Sequence, residues 1–223
     1  MKLQLPPNSI YLITNRQAFR RNPQTTEGEL RHAQLEAIAR AAQAGCQLIQ
    51  IREKDLAARD LYEFTGAAIA RARPHGAKVL VNDRLDVALA TGADGVHLRV
   101  TSLPLAEARS VITKHGLSDF LLGVSTHSLN EAQAAEADGA DFIVCGPVYD
   151  TPSKRDYGAP LGIERFAEIC HAVKLPVFAL GGIKLVNFRE PLQRGATGIA
   201  AIGLFTDLAS LQQNVRSIIE ARS

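Results

Sequence analysis

Residues 120–162, FLLGVSTHSLNEAQAAEADGADFIVCGPVYDTPSKRDYGAPLG, contain the pattern that decides the fold. Two short apolar runs, at 120–124 and 142–145, lie on either side of an alanine-rich segment. Ser128 is followed three residues later by Glu131, and this capping-box spacing predicts that the alanine-rich segment is a helix. The predicted order is therefore strand, loop, helix, strand, loop.

Polar side chains follow both of these predicted strands. The first strand is followed by Ser125, Thr126 and His127, and the second by Thr151, Ser153, Lys154 and Arg155. If a helix returns the chain after each strand, the carboxyl ends of all strands point the same way and their loops form one surface. Hydroxyl, imidazole and cationic groups on that surface predict a site for a small anionic molecule.

The rest of the chain repeats this unit of strand, polar loop and helix. Further apolar runs lie at 10–14, 48–49, 78–81, 92–98, 176–180 and 198–203, and a last helix is predicted from 206 onward. Eight units with near-continuous apolar strands predict an α/β fold, a single (β/α)8 TIM barrel over residues 1–223. A doubly wound open sheet is the alternative.

Composition narrows the kind of partner. The 223 residues are 46% hydrophobic, enough to bury a full core, and the formal net charge is only +2. A charge so near neutral, without a basic run, argues against nucleic-acid binding. We expect the partner to be a small molecule.

The three cysteines and the apolar runs indicate a cytoplasmic location. Cys46, Cys145 and Cys170 lie far apart, without metal-ligand spacing, and are predicted to be buried free thiols. The amino terminus has no long apolar segment, and no apolar run approaches the roughly 18 residues that a membrane span needs. We expect neither secretion nor membrane association.

Other strand ends also carry groups that suit an anion. They are Gln50, Arg52 and Lys54 after the second strand, Asn82 and Asp83 after the third, Gly182 after the seventh and Gly203 after the eighth. Backbone amides at such glycines often bind phosphate in barrels, although paired glycines also serve as tight turns. Arg52 and Lys54 could instead be neutralised by Glu53, Asp55 or Asp83. Asn82 with Asp83 could equally be an ordinary turn, because a lone carboxylate holds Mg²⁺ poorly without phosphates.

Two histidines lie near predicted strand ends. His127 can gain and lose a proton near neutral pH, which suits acid and base catalysis, although a structural hydrogen bond is the alternative. His97 lies one residue before the end of the fourth strand, where we expect it to pack or to hydrogen-bond behind the site.

Six blocks of this chain, taken together, resemble the thiamine phosphate synthase / TenI family. They are YLITN, QIREKD, VNDRLDVALATGADGVHL, GVSTHS, EADGADFIVCGPVYDTPSK and PVFALGGI, and they span nearly the whole chain. The resemblance implies a (β/α)8 barrel, commonly a homo-oligomer, that acts on phosphorylated thiamine precursors at the carboxyl ends of its strands.

In the synthase branch of that family, a pyrimidine pyrophosphate is joined to a thiazole phosphate with Mg²⁺ and pyrophosphate is released. The resemblance assigns Gln50 to the pyrimidine, Arg52, Lys54, Asn82, Ser125 and Lys154 to the pyrophosphate, and Asp83 to the metal. It places Thr151, Ser153, Gly182 and Gly203 near the thiazole phosphate.

One departure from the synthase pattern favours the other branch. After GADGVHL, synthases usually continue with Gly-Gln and an acid that supplies a second carboxylate to Mg²⁺, whereas this chain has Arg99 and no acid before Glu107. TenI-like proteins lack that acid, and their characterised members use the histidine of the SxHS block to tautomerise a carboxythiazole phosphate. His127 occupies that position.

We therefore predict a TenI-like thiazole tautomerase with His127 as acid and base and no required metal. Two alternatives stay open. A thiamine phosphate synthase would need Mg²⁺ at Asp83, and a non-catalytic regulator would only bind the phosphate ligand.

Overall fold

The computed structural model describes residues 3–99, 101–151 and 159–221. Eight parallel strands form a closed barrel in sequence order, and the eighth pairs with the first. The strands are β1 (Ser9–Ile13), β2 (Leu48–Ile51), β3 (Lys78–Asn82), β4 (Gly95–Leu98), β5 (Leu121–Thr126), β6 (Phe142–Cys145), β7 (Val177–Leu180) and β8 (Gly198–Ala201). The predicted (β/α)8 barrel is confirmed, and the open sheet is excluded because β8 closes onto β1.

A helix follows each strand. The helices are α1 (Glu27–Gln43), α2 (Ala58–Ala72), α3 (Leu85–Thr91), α4 (Leu105–Lys114), α5 (Leu129–Ala137), α6 (Ile163–Ala172), α7 (Arg189–Gln193) and α8 (Leu211–Ile219). Because every helix carries the chain back across the outside of the barrel, all eight strands begin at the same end.

The core has two layers. Side chains such as Ile10, Leu12 and Ile38 fill the space between strands and helices. Alternate side chains of the strands point inward, where Tyr11, Phe142 and Phe178 pack with ring centroids 5.4 to 5.7 Å apart. The interior of the barrel is therefore filled by apolar and aromatic side chains, and a polar binding site can form only at the ends of the strands.

Two local expectations differ from the structure at helix termini. Ser128 caps α5 through the Glu131 amide, but the Glu131 carboxylate accepts from the His127 amide at 2.6 Å, so the reciprocal half of the capping box is not formed. The last helix begins at Leu211, not 206, because Asp207 accepts hydrogen bonds from the Ala209 amide and the Ser210 hydroxyl in a turn.

The prediction of buried free thiols holds for two of the three cysteines. Cys46 and Cys145 are buried free thiols, and Cys170 is a half-buried one. Burial raises the pKa of the Cys46 thiol to about 12, so it stays protonated and unreactive. In the part of the chain that the structure describes, no helix is both long and apolar enough to cross a membrane.

Candidate active site

The predicted site residues of β2, β3 and β5 share the carboxyl end of the barrel. Gln50 lies next to the last residue of β2, Asn82 ends β3 and Ser125 lies next to the last residue of β5. Arg52 and Lys54 follow β2 directly, the first half-buried and the second exposed. The structure therefore brings these five residues to one mouth, as parallel strands require.

Gln50 lies deepest of this set. Its side chain is buried, and its amide nitrogen donates to the Tyr11 hydroxyl at 3.1 Å. Burial raises the pKa of Tyr11, and the hydrogen bond with Gln50 only partly offsets this, so the phenol stays neutral. Gln50 thus forms the floor of the mouth, with its amide orientation fixed by Tyr11.

His97 and Ser125 form a buried hydrogen bond beside this floor. The Nε2 atom of His97 lies 2.9 Å from the Ser125 hydroxyl, and the His97 side chain packs against the rings of Tyr11 and Phe142. Glycine at position 123 makes room for the imidazole, since a Cβ there would lie 2.8 Å from His97 Nδ1. His97 therefore orients the Ser125 hydroxyl from behind the site, as the sequence predicted.

The His97 imidazole is expected to stay neutral down to about pH 3. Burial lowers the pKa of His97 to about 3, and the positive charge of Arg52 acts in the same direction. Because the unfolded chain takes up this proton below about pH 6.5, folding stability should fall as pH decreases from there. Ring carbon and nitrogen shifts in NMR spectra measure this directly, and a His97 ring that titrates near pH 6 would contradict it.

A buried ion pair that the sequence did not reveal joins the loops after β1 and β2. The Arg16 guanidinium contacts the Glu53 carboxylate at 3.1 Å and Asp55 at 2.6 Å, and the Arg16 amide also donates to Glu53. Thr14 Oγ1 accepts from the Arg52 amide at 2.9 Å. Two of the carboxylates considered as partners of Arg52 and Lys54 are thus bound to Arg16, and the loop that carries those two cations is anchored.

Burial and hydrogen bonding act in opposite directions on this ion pair. Burial raises the pKa of Glu53, and hydrogen bonds from Thr14 and Arg16 only partly offset it. Burial disfavours the Arg16 cation, but its hydrogen bonds with Asp55 and Glu53 outweigh burial and raise the pKa of Arg16. The chain offers no local pattern for this pair, because Arg16 and Glu53 are 37 residues apart.

Asp83, Arg99 and Ser102 form a closed group that we call the Asp83 clasp. The Oδ2 atom of Asp83 accepts from Arg99 Nε at 2.8 Å and from Arg99 Nη2, and its Oδ1 atom accepts from the Ser102 hydroxyl. The Arg99 amide donates to Ser102 Oγ at 3.0 Å. Asp83 has φ = 64°, and its amide donates to the His97 carbonyl, so the backbone fixes the carboxylate between the ends of β3 and β4.

The clasp does not match the donor set that Mg²⁺ takes. That ion is usually held by one or two carboxylates together with substrate phosphates. Both oxygens of Asp83 are already bound to a cation and a hydroxyl group. Across residues 3–99, 101–151 and 159–221, no three His, Cys, Asp or Glu side chains are placed to hold a metal ion. The described side chains therefore do not fit a Mg²⁺ site built by the protein.

His127 lies between β5 and α5, next to the Ser128 cap, and is exposed. Its Nδ1 atom is 2.5 Å from the carbonyl oxygen of Gly146, at the end of β6. Since a carbonyl oxygen only accepts, Nδ1 carries the proton in the neutral ring and Nε2 carries the lone pair. The exposed Nε2 edge can therefore accept a proton from a ligand.

The remaining predicted contacts lie after β6, β7 and β8. A Cβ at Gly182 would lie 2.6 Å from Tyr149 Cβ and 2.8 Å from the Asp150 carbonyl oxygen, so this glycine is needed for packing whether or not it binds phosphate. Among the described residues, nothing lies within 4 Å of a Cβ position at Gly203, so these residues leave its backbone open to a ligand. Thr151 is half-buried at the end of the described part of its loop. Ser153 and Lys154 lie outside the described residues.

Known proteins match the chain over almost its full length. The model of the family described as thiamine monophosphate synthase matches residues 10–205. A Geobacter sulfurreducens protein named "Putative thiamine-phosphate synthase" is 43% identical over 211 residues, covering 95% of this chain and 92% of that protein. A Roseiflexus protein named thiamine-phosphate synthase is 38% identical over 193 residues, covering 86% and 76%.

A solved structure is similar to this chain in both fold and sequence. The thiamine phosphate pyrophosphorylase from Pyrococcus furiosus superposes with a TM-score of 0.79 at 32% identity, covering 95% of each chain. These names agree with the synthase alternative and give no support to the tautomerase that the sequence favoured. The chain belongs to the thiamine monophosphate synthase family of thiamine-biosynthesis enzymes.

Proposed function

We propose that the chain is a thiamine-phosphate synthase, a transferase that joins a pyrimidine pyrophosphate to a thiazole phosphate. The observation that carries this proposal is the group of Arg52, Asn82 and Ser125 at one barrel mouth, with the Ser125 hydroxyl held by the neutral His97. The names of the relatives support the same reaction.

The reaction needs stabilisation of a leaving anion more than a base. The bond between the pyrimidine methylene carbon and the pyrophosphate oxygen breaks, and the pyrophosphate leaves with the electron pair. The thiazole nitrogen forms the new bond to that carbon and becomes positively charged, so no proton is transferred. A cation and fixed hydrogen-bond donors near the leaving oxygens lower the barrier for this step.

Each residue of the mouth has a role in this scheme. The Arg52 guanidinium, the Asn82 amide and the Ser125 hydroxyl contact the pyrophosphate, and Gln50 contacts the pyrimidine from the floor. The thiazole phosphate lies against the ends of β7 and β8, near Gly203. Lys154 and Ser153 complete the anion contacts, as the family resemblance implies.

A thiazole tautomerase is the second candidate, and the geometry of His127 favours it. With Nδ1 bound to the Gly146 carbonyl, Nε2 can take a proton from one position of a carboxythiazole phosphate and return it at another. The group needs no partner beyond the carbonyl that fixes its tautomer.

Product analysis of two single variants separates the two activities. The purified chain is given both coupling substrates, and pyrophosphate release is followed together with thiamine phosphate formation. In a second reaction the carboxythiazole phosphate is given alone. Ser125→Ala is expected to reduce coupling about 10-fold or more, and His127→Asn should remove tautomerisation and leave most of the coupling.

The outcomes are distinct. If the wild-type chain couples the two substrates and the Ser125 variant does so more slowly, the synthase is supported. If the wild-type chain tautomerises the carboxythiazole phosphate without coupling, and the His127 variant loses this activity, the tautomerase replaces the synthase as the proposed function. Saturable binding of thiazole phosphate without turnover of either kind would indicate a ligand-binding regulator.

A further inference from the structure

The Asp83 clasp leaves part of a guanidinium turned to solvent at the mouth. Arg99 uses Nε and Nη2 for Asp83, and its side chain is 56% exposed. Within the described ranges, Arg99 Nη1 has no hydrogen-bond acceptor. The two N–H groups of Nη1 are therefore available to a ligand at the ends of β3 and β4, beside Asn82.

We propose that Arg99 is a pyrophosphate-binding residue that supplies, from the protein itself, the positive charge at this position, so that pyrophosphate binds without a divalent metal ion. The inference rests on the proposed synthase function and names how that site holds its anionic group. Asp83 serves in it as the anchor of Arg99 and not as a metal ligand.

The geometry of the clasp suits this role. A guanidinium is planar and permanently charged, and it binds phosphate oxygens through paired N–H groups. Asp83 fixes the plane of Arg99 from one side, so less side-chain freedom is lost when an anion binds on the other side. Ser102 occupies the second oxygen of Asp83, which keeps that carboxylate turned away from the ligand.

The same contacts disfavour a metal ion at this position. A divalent cation bound to Asp83 would have to displace the Arg99 guanidinium and the Ser102 hydroxyl, or lie beside a positive charge. Where a second carboxylate would add negative charge, the hydroxyl of Ser102 adds none.

Calorimetric titration with inorganic pyrophosphate tests the inference in two buffers, one with Mg²⁺ and one with a chelator. The wild-type chain is expected to bind with dissociation constants that agree within about threefold between the two buffers. Arg99→Gln should weaken binding in chelator about 10-fold or more, because it removes the charge and the fork of donors. Asp83→Asn should still bind pyrophosphate in chelator, within about threefold of the wild type, because the removal of a negative charge offsets the loss of the anchor that fixes Arg99.

Arg84 provides a matched control. Arg84 directly follows Asp83 in the chain and forms a similar ion pair with Asp86, in which Nη2 lies 2.7 Å from Oδ2. Arg84→Gln removes the same charge from the neighbouring loop, after β3, so an equal loss of pyrophosphate affinity in this variant would mean that only the general positive charge matters, which would overturn the specific role of Arg99.

A double variant, Arg99→Gly with Ser102→Asp, tests the converse. It places a second carboxylate next to Asp83 and removes the cation, so pyrophosphate binding should become dependent on Mg²⁺ by about 10-fold or more. Electron paramagnetic resonance of added Mn²⁺ should show an ion bound to this variant that the wild type does not bind. Equal pyrophosphate binding in both buffers would contradict the inference.

Coupling assays on the same samples distinguish failure of the inference from failure of the proposed function. If the wild type couples its substrates but binds pyrophosphate only with Mg²⁺, and Asp83→Asn abolishes that binding, the function stands and the role of Arg99 is overturned. If the wild type neither couples nor binds pyrophosphate in either buffer, the proposed function itself fails.

Discussion

Replacing Arg16 by methionine is expected to destabilise the fold by about 3–5 kcal/mol at neutral pH. The Glu53 side chain is only 1% exposed and Arg16 only 6%, so the variant leaves a carboxylate buried without its cation. Methionine fills a similar volume, which limits the loss of packing. Urea unfolding followed by circular dichroism measures the change.

The pH dependence of this variant identifies the cause. Burial already holds the pKa of Glu53 above its ordinary value, and removing Arg16 takes away a group that lowers it. An acid whose folded-state pKa is raised stabilises the fold fully below its unfolded-state pKa, and this contribution is lost as pH rises through the folded-state pKa. The difference in unfolding free energy between the wild type and Arg16→Met should therefore become smaller as pH falls toward about 4.5.

Two further variants control for packing and for exposed charge. The double variant Arg16→Met with Glu53→Gln should recover much of the stability, because no charge is then buried. Arg20→Gln breaks an exposed pair, Arg20 with Glu27 at 2.7 Å, and should change stability by less than about 1 kcal/mol. A deficit in Arg16→Met that is the same at pH 5 and pH 7 would show that lost packing is responsible instead.

Gly198→Ala is expected to destabilise the barrel by about 3 kcal/mol or more. A Cβ at this position in β8 would lie 2.1 Å from the Ser9 carbonyl oxygen and 2.8 Å from a ring carbon of Phe178. Ser9 is the residue of β1 that pairs with Gly198, so relief of the clash requires the closing strands of the barrel to separate. Thermal and urea unfolding measure the loss.

The same substitution at Gly66 is expected to act in the opposite direction. Gly66 lies in the middle of α2 on its exposed side, and no atom of the described part of the chain lies within 4 Å of a Cβ there. Alanine is favoured over glycine in a helix by about 1 kcal/mol, so Gly66→Ala should stabilise the chain. If Gly198→Ala unfolds at the same urea concentration as the wild type, the close approach of β1 and β8 does not constrain that position.

Local patterns predicted the barrel well because its strands and helices are specified by nearby residues. Each apolar run is short, ends in polar residues and is followed by a helical pattern, and this order leaves few ways to bury every strand. Gln50, Asn82 and Ser125 could be placed at one mouth on the same ground. Helix ends were less predictable, since turns such as the one at Asp207 compete with the first turn of a helix.

The side-chain partners within the mouth could not be predicted from local sequence. Arg16 and Glu53, or Asp83 and Arg99, meet only because the barrel brings the ends of neighbouring strands together. After β4 the sequence has Arg99 and no acid before Glu107, where synthases carry an acid, and this departure favours a tautomerase. The structure shows that Arg99 binds Asp83. In this site a cation therefore lies beside the carboxylate of Asp83, in the loop where synthases carry a second carboxylate.

The close fit of Gly182 against Tyr149 and Asp150 has a consequence for how this mouth can change during evolution. The loop after β6 and the loop after β7 are joined by hydrogen bonds from Val148 to Leu180 and from Tyr149 to Gly181, with no room for a side chain at position 182. A side chain at position 182 would therefore require the loop after β6 to move as well. Lineages or laboratory libraries that alter ligand preference here should therefore vary both loops together, as one inherited unit.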